Sequence, residues 1–205
     1  MTFENYNNKH MKSRTNFLLI IIVPVIFLFS CKENYYPKPH GYLRADFPKK
    51  EYRLFDSDYP YTFEIPSYSE VVKDSSKDAQ KYWADWIFPK FNATVFLSYK
   101  SIRNNLDSYE EDTRELAYKH SIKADAIESK IWENKKTKVY GILYDIKGDV
   151  ASQIQFYLTD STQHFIRGAF YFNNVPNKDS LAPALKFLRK DIDRMIQTFK
   201  WKDVQ

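Results

Sequence analysis

The sequence contains a single cysteine, Cys31, among its 205 residues. With no second cysteine, an intrachain disulfide is excluded, and so is a metal site built from paired cysteines. A chain of this length can bury one hydrophobic core of about 150 residues without such crosslinks. The sequence therefore predicts one globular domain with a leader, and the lone thiol needs a separate explanation.

Glycine is also scarce, and its four positions, Gly41, Gly141, Gly148 and Gly168, lie far apart. Phosphate-binding loops need clustered glycines, so nucleotide binding is not expected. The sequence also lacks an H-E-x-x-H motif, a C-x-x-C motif and a G-x-S-x-G nucleophile elbow. We therefore expect no metal, no cofactor and no enzymatic activity.

A strong excess of one charge is lacking as well. Lys and Arg total 31 against 26 Asp and Glu, which gives a formal net charge of +5. This modest excess falls short of a nucleic-acid-binding composition, so no nucleic-acid partner is expected.

A hydrophobic run of 13 uncharged residues, 17–29, is present before Cys31 and follows two lysines and an arginine. This length matches the apolar segment of a signal peptide, whereas a transmembrane helix needs about 20 apolar residues. We therefore predict a lipoprotein signal peptide over residues 1–30.

Leu28-Phe29-Ser30-Cys31 resembles the lipobox of bacterial lipoproteins, with an aliphatic residue three positions before the cysteine and a small residue directly before it. Phe29 departs from the usual small or medium residue. A lipobox cysteine carries a thioether-linked diacylglycerol, and each buried CH₂ of an acyl chain adds about 0.8 kcal/mol to membrane binding. We predict that Cys31 is the lipidated first residue of a protein anchored to an envelope membrane, with its domain in the periplasm or on the cell surface.

Residues 31–60 are predicted to form the lipidated N-terminus and an extended, proline-rich arm. Its prolines remove backbone donors and favour extended geometry. Numerous tyrosines and phenylalanines distinguish it from a flexible Gly/Ser linker, so we expect part of it to pack on the domain. The candidate interaction residues of the arm are Pro37, Lys38, Pro39, Gly41 and Tyr42.

Residues 61–205 have the pattern of one α+β domain. Alternation and β-propensity predict strands at 61–65, 82–88, 91–99, 127–133, 138–146, 152–159 and 163–172. Helical spacing predicts a helix at 107–120 and a C-terminal helix that covers one sheet face and is capped by Asp179 or Ser180. The order is similar to the PsbP/Mog1 arrangement, an antiparallel sheet with helices packed on its faces.

The segment Tyr-Trp-Ala-Asp-Trp-Ile-Phe at 82–88 supports two interpretations. Trp83 and Trp86 are candidate interaction residues, because tryptophan dominates binding hot spots. Strand packing is the alternative, because aromatic residues are enriched in sheets. A binding role would suit an envelope glycan-binding protein or a hydrolase, and paired carboxylates beside both tryptophans would favour it.

Four stretches read in order resemble the gliding motility lipoprotein GldD family of the Bacteroidetes: the lipobox, PKPHGYLRADFPKKEY, DSDYPYTFEIPSY and WADWIFPKFNATVFLSY. The resemblance covers nearly the whole chain from Cys31 onward. It implies a membrane-anchored, non-enzymatic interaction or assembly component of the gliding machinery and the associated type IX secretion system. Other envelope proteins are its implied partners, and Cys31 is the implied lipid acceptor. A lipoprotein whose role is unrelated to gliding is the remaining alternative.

Overall fold

The computed structural model describes residues 46–175 and 177–203. The predicted signal peptide, Cys31 and the first half of the arm lie outside the described residues. In chain order the elements are β1 (Tyr52–Phe55), β2 (Tyr61–Pro66), β3 (Glu70–Lys73), β4 (Ala84–Phe88), β5 (Ala93–Ser101), α1 (Leu106–Tyr118), β6 (Ala124–Asn134), β7 (Val139–Gly148), β8 (Ile154–Thr159), β9 (His164–Phe172), α2 (Lys178–Thr198) and β10 (Lys200–Trp201). Short 3₁₀ turns occupy Pro89–Phe91 and Lys119–Ile122.

Seven strands form an antiparallel sheet in the order β3-β4-β5-β9-β8-β7-β6. Strands β6 to β9 are successive neighbours, so the predicted four-stranded meander is confirmed. Strand β5 joins this meander to β4 by pairing with β9 along nine residue positions. The order of strands and helices confirms the predicted α+β class with helices packed on an antiparallel sheet.

Alternating side chains give the seven-stranded sheet two different faces. Buried residues such as Trp86, Val95 and Phe170 lie on one face and belong to the main core. Residues at the alternate positions, such as Ser98 and Arg167, belong to the other face. Helix α1 covers part of this second face, and its Ala117 packs in a small cluster with residues of β7.

Helix α2 closes the main core with an apolar stripe of Leu188, Ile192, Met195 and Ile196. These positions recur every three or four residues, as one buried helix face requires. The predicted cap at Asp179 or Ser180 is wrong, because the Oδ1 of Asn177 accepts the backbone N–H of Ser180 at 3.0 Å. Asn177 is the residue with extended backbone geometry directly before the first turn.

A second sheet has the order β1-β2-β10 and contains part of the predicted arm. Strand β1 pairs antiparallel with β2 from Tyr52 opposite Pro66 to Phe55 opposite Phe63. Strand β10 pairs with the other edge of β2 through two residues. The C-terminal half of the arm therefore contributes a strand that packs on the domain.

Candidate functional site

The candidate interaction residues of the arm, Pro37, Lys38, Pro39, Gly41 and Tyr42, lie outside the described residues, as does the predicted lipid acceptor Cys31. The structure describes the two candidate tryptophans, and they occupy different environments. Trp86 is completely buried in the core and donates its Nε1–H to Ser69 Oγ at 2.8 Å. Its indole is therefore not accessible to a ligand, and strand packing explains it.

Trp83 is partly exposed and donates its Nε1–H to the backbone oxygen of Tyr99 at 2.9 Å. Its ring also lines a cavity on the face of the seven-stranded sheet opposite the main core. Side chains three positions apart in an extended segment point to opposite sides. The two indoles therefore do not form one platform, and only Trp83 can contribute to a ligand site.

This cavity has a volume of about 350 Å³ and lies between α1 and strands β5 and β9. We call it the α1 cavity. Trp83, Tyr109 and Phe165 supply aromatic surface, while Arg167 and Ser98, which face each other across the β5–β9 ladder, contribute polar groups from the sheet. Helix α1 thus forms one wall of the cavity and the sheet forms its floor.

Five charged side chains line the α1 cavity: Lys100, Asp112, Glu115, Lys119 and Arg167. In the described ranges, none of them forms an ion pair within 4.0 Å. The Lys100 ammonium lies 4.7 Å from the ring centroid of Tyr109, which is a cation–π contact. The charges of the cavity are therefore not neutralised pairwise within the described chain.

Arg167 is only partly exposed, and burial lowers the pKa of its guanidinium from the ordinary value. Its Nη2 donates to Gln155 Oε1 at 2.6 Å. Its Nε and the Nε2 of Gln155, a residue with no exposed surface, have no hydrogen-bond partner among the described residues. Two buried donors are thus left beside the cavity floor.

A second polar site holds the arm against the domain. Asp191 of α2 has no exposed surface and accepts three hydrogen bonds from the arm and β2–β3 region. Lys50 Nζ and the Tyr52 hydroxyl donate to Oδ1 at 2.6 and 2.8 Å, and the Tyr68 hydroxyl donates to Oδ2 at 2.5 Å. We call Lys50, Tyr52, Tyr68 and Asp191 the arm-docking cluster.

The donors of the arm-docking cluster balance the negative charge of the Asp191 carboxylate. Burial, together with the hydrogen bond to the Asp191 carboxylate, raises the pKa of Tyr52 and of Tyr68, so both hydroxyls remain protonated donors at neutral pH. Lys50 also donates to the backbone oxygen of Phe187 at 3.1 Å, and its Nζ lies 3.6 Å from the ring centroid of Phe187. The buried carboxylate is therefore matched by one cation and two neutral donors.

A family model described as "Gliding motility lipoprotein GldD" matches residues 32–201. The chain belongs to this GldD family. The match starts directly after Cys31 and ends in β10, so it includes the arm as well as the domain. This GldD-family protein is a motility-related lipoprotein with a membrane-anchored place in the cell envelope.

Among solved structures, the GldD-family chain is similar to cyanobacterial PsbP (CyanoP) from Synechocystis sp. PCC 6803. The TM-score is 0.48 and the sequence identity 9%, over 77% of this chain and 96% of the other. No curated protein matches the sequence. Within the described ranges, no helix combines the length and apolar character needed to cross a bilayer, and no three His, Cys, Asp or Glu side chains converge as a metal site.

The sequence pattern singles out neither Arg167 nor Asp191 of this GldD-family chain. Asp191 does carry a signal, because it lies three residues after Leu188 and four before Met195, within the apolar stripe of α2. A charged residue at such a position must be paired when the helix packs. Arg167 has a weaker signal, since alternation in β9 only assigns it to the face opposite Ile166 and Gly168.

Proposed function

We propose that this lipoprotein is a non-enzymatic assembly module of the gliding machinery and of the type IX secretion system linked to it. The observation that carries the proposal is the family match over residues 32–201, which begins next to the predicted lipid acceptor Cys31. The arm and the domain would contact other envelope proteins while acyl chains on Cys31 hold them at a membrane.

The short stretch of chain between Cys31 and the domain supports a role close to the membrane. Asp46, the first described residue, follows Cys31 by 15 residues. An extended chain spans at most about 3.6 Å per residue, so Asp46 stays within about 54 Å of the lipidated residue. Partners of the domain would therefore be membrane proteins or proteins held near the same bilayer.

The arm-docking cluster supports a defined attachment of the arm. Burying a carboxylate and an ammonium is costly unless the two are paired and hydrogen-bonded. Here the pair joins Lys50 to Asp191, and the ring of Phe47 stacks on that of Phe187 with centroids 4.6 Å apart. The described part of the arm is thus fastened to α2, as suits a module that presents arm and domain together.

The proposal is tested in cells by a Cys31→Ser variant, with Lys49→Ala, at an exposed residue of the arm, as the matched control. We expect Cys31→Ser to abolish membrane pelleting, colony spreading and secretion of type IX substrates, and Lys49→Ala to retain all three. Crosslinking with affinity purification should recover envelope proteins from the control and lose them in Cys31→Ser.

Two results would overturn this function. A gene deletion that leaves both colony spreading and type IX secretion intact contradicts the motility role and favours a lipoprotein with an unrelated function. A Cys31→Ser protein that still pellets with membranes contradicts the lipid anchor.

One observation favours a second function, an envelope glycan-binding protein or hydrolase. Trp83 lines the α1 cavity together with the carboxylates of Asp112 and Glu115. Aromatic surface beside carboxylates is chemistry that suits a sugar. Trp86 takes no part in it, because its side chain is buried in the core. Direct sugar binding by the purified protein separates this function from the assembly role.

A further inference from the structure

The floor of the α1 cavity holds a cation that lacks a counter-ion within the described chain. A guanidinium that is largely removed from water normally pairs with a carboxylate, because its desolvation is otherwise uncompensated. Arg167 instead contacts the neutral amide of Gln155, which is itself completely buried and keeps one unpartnered donor. This arrangement holds the guanidinium in place and leaves its charge available to a ligand in the cavity.

The net charge of the cavity restricts the ligand that would pair with Arg167. The three cations, Lys100, Lys119 and Arg167, face the two carboxylates of Asp112 and Glu115, which leaves one net positive charge. A group with a single negative charge is complementary to this balance, whereas the carboxylates would repel a dianion. Arg also binds a planar carboxylate with two parallel hydrogen bonds.

The remaining lining suits a polyhydroxylated ring. Trp83, Tyr109 and Phe165 offer apolar surface for the C–H face of a ring. Asp112 and Glu115 can accept hydrogen bonds from hydroxyl groups, and Ser98 can donate or accept one. The volume of about 350 Å³ is at the small end of ligand sites, which usually measure about 300–1,000 Å³. One sugar ring is the matching size.

We propose that the α1 cavity binds a uronic-acid unit of an anionic glycan, with Arg167 holding its carboxylate and Trp83 contacting its ring. The inference specifies the ligand class of the glycan-binding function described above and rests on that function. It is tested separately from the motility role, because sugar binding is measured on the isolated protein.

Ligand-observed saturation-transfer NMR on the full lipidated chain in detergent tests this proposal, with D-glucuronate as the probe. We expect D-glucuronate to bind about tenfold more tightly than neutral D-glucose, because only the former has a carboxylate for Arg167. Inorganic sulfate, a dianion, should fail to displace D-glucuronate when added in excess. Equal binding of glucose overturns the carboxylate role but leaves glycan binding standing, whereas absence of binding by either sugar overturns both.

Substitutions inside and outside the α1 cavity test whether D-glucuronate binds there. Arg167→Met should weaken D-glucuronate binding about tenfold, and the matched control Arg114→Met, at an exposed arginine of α1 paired with Glu111, should leave it unchanged. If Arg167→Met does not fold, Lys119→Glu decides, because Lys119 is exposed and the substitution reverses the net charge of the cavity. We expect Lys119→Glu to weaken binding about threefold. Unchanged affinity in Lys119→Glu, or in folded Arg167→Met, overturns the proposal, as does displacement of D-glucuronate by sulfate.

Discussion

Single residues decide how the arm is held, and Asp191 is the clearest case. Its carboxylate is completely buried, and it is stable there because Lys50, Tyr52 and Tyr68 all donate to it. Removing the carboxylate would leave the Lys50 ammonium and two hydroxyls without their acceptor. Breaking one side of a buried ion pair typically costs about 3–5 kcal/mol.

We therefore expect Asp191→Ala to lower the free energy of unfolding by about 3 kcal/mol or more, measured by urea denaturation. Asp193→Ala is the matched control on the same helix, because Asp193 pairs with Arg189 at a more exposed position. That control should cost about 1 kcal/mol or less. Equal losses in the two variants would show that the arm-docking cluster contributes no special stability.

His164 is a second residue whose burial has a measurable consequence. Its Nδ1 shares a hydrogen bond of 2.7 Å with the Tyr99 hydroxyl, and its ring stacks on Trp201 with centroids 5.1 Å apart. Burial lowers the pKa of His164, although the charges of Asp160 and Asp203 act in the opposite direction. The folded protein therefore resists protonation of this ring more than the unfolded chain does.

Because the folded pKa lies below the unfolded value of about 6.5, the contribution of neutral His164 is complete above about pH 6.5 and is lost as the pH falls toward the folded pKa. We expect the wild type to lose more unfolding free energy than His164→Gln between about pH 7.5 and pH 5.5. Urea denaturation at the two pH values measures this difference. An NMR titration of His164 with a midpoint above about 6.5 would contradict the expectation.

At the level of elements, the strands and helices with long periodic patterns are predictable from the sequence. The sequence pattern predicts both helices, β2, the β4–β5 pair and the four-stranded meander, because each repeats an apolar period over enough residues. Strands β1, β3 and β10 were not expected. They have four residues or fewer. Such short strands exist because neighbouring strands supply their hydrogen-bond partners, and a local pattern cannot show this.

The candidate sites were less predictable for physical reasons. Alternation alone is enough to separate Trp83 from Trp86, since they stand three residues apart. The α1 cavity depends on where α1 lies across the sheet, and no local pattern encodes that placement. Arg167 becomes a candidate ligand contact only because its cross-strand neighbours and α1 enclose it in the cavity, and the sequence around Arg167 does not show this.

Removing strand β1 is expected to lower the stability of the domain. A chain of residues 61–205 lacks β1 together with Lys50 and Tyr52, so Tyr68 is the one donor to Asp191 that remains from the arm-docking cluster. We expect it to be less stable than a chain of residues 46–205 by about 3 kcal/mol or more. Urea denaturation of both chains measures the difference, and equal stability would mean that residues 46–60 do not support the domain.

At the scale of the whole molecule, the described part of the arm, the two sheets and α2 form one continuous structure. Strand β2 is central to it, because β1 and β10 pair with its two edges and its Tyr61, Phe63 and Ile65 are completely buried in the core. The α1 cavity lies on the opposite face of the seven-stranded sheet. A partner could therefore contact one face without occupying the other.

The arm-docking cluster has a mechanical consequence for a membrane-anchored lipoprotein of the cell envelope. Tension applied from the N-terminal side travels along the chain and reaches Lys50, and then Tyr52 at the start of β1, before the rest of the β1–β2 ladder. The two bonds from Lys50 and Tyr52 to Asp191 would take the load first and transmit it to α2, whose apolar face is embedded in the core. We expect β1 to detach from β2 only after these bonds break, so the buried carboxylate sets how much force the attachment of the arm to the domain withstands.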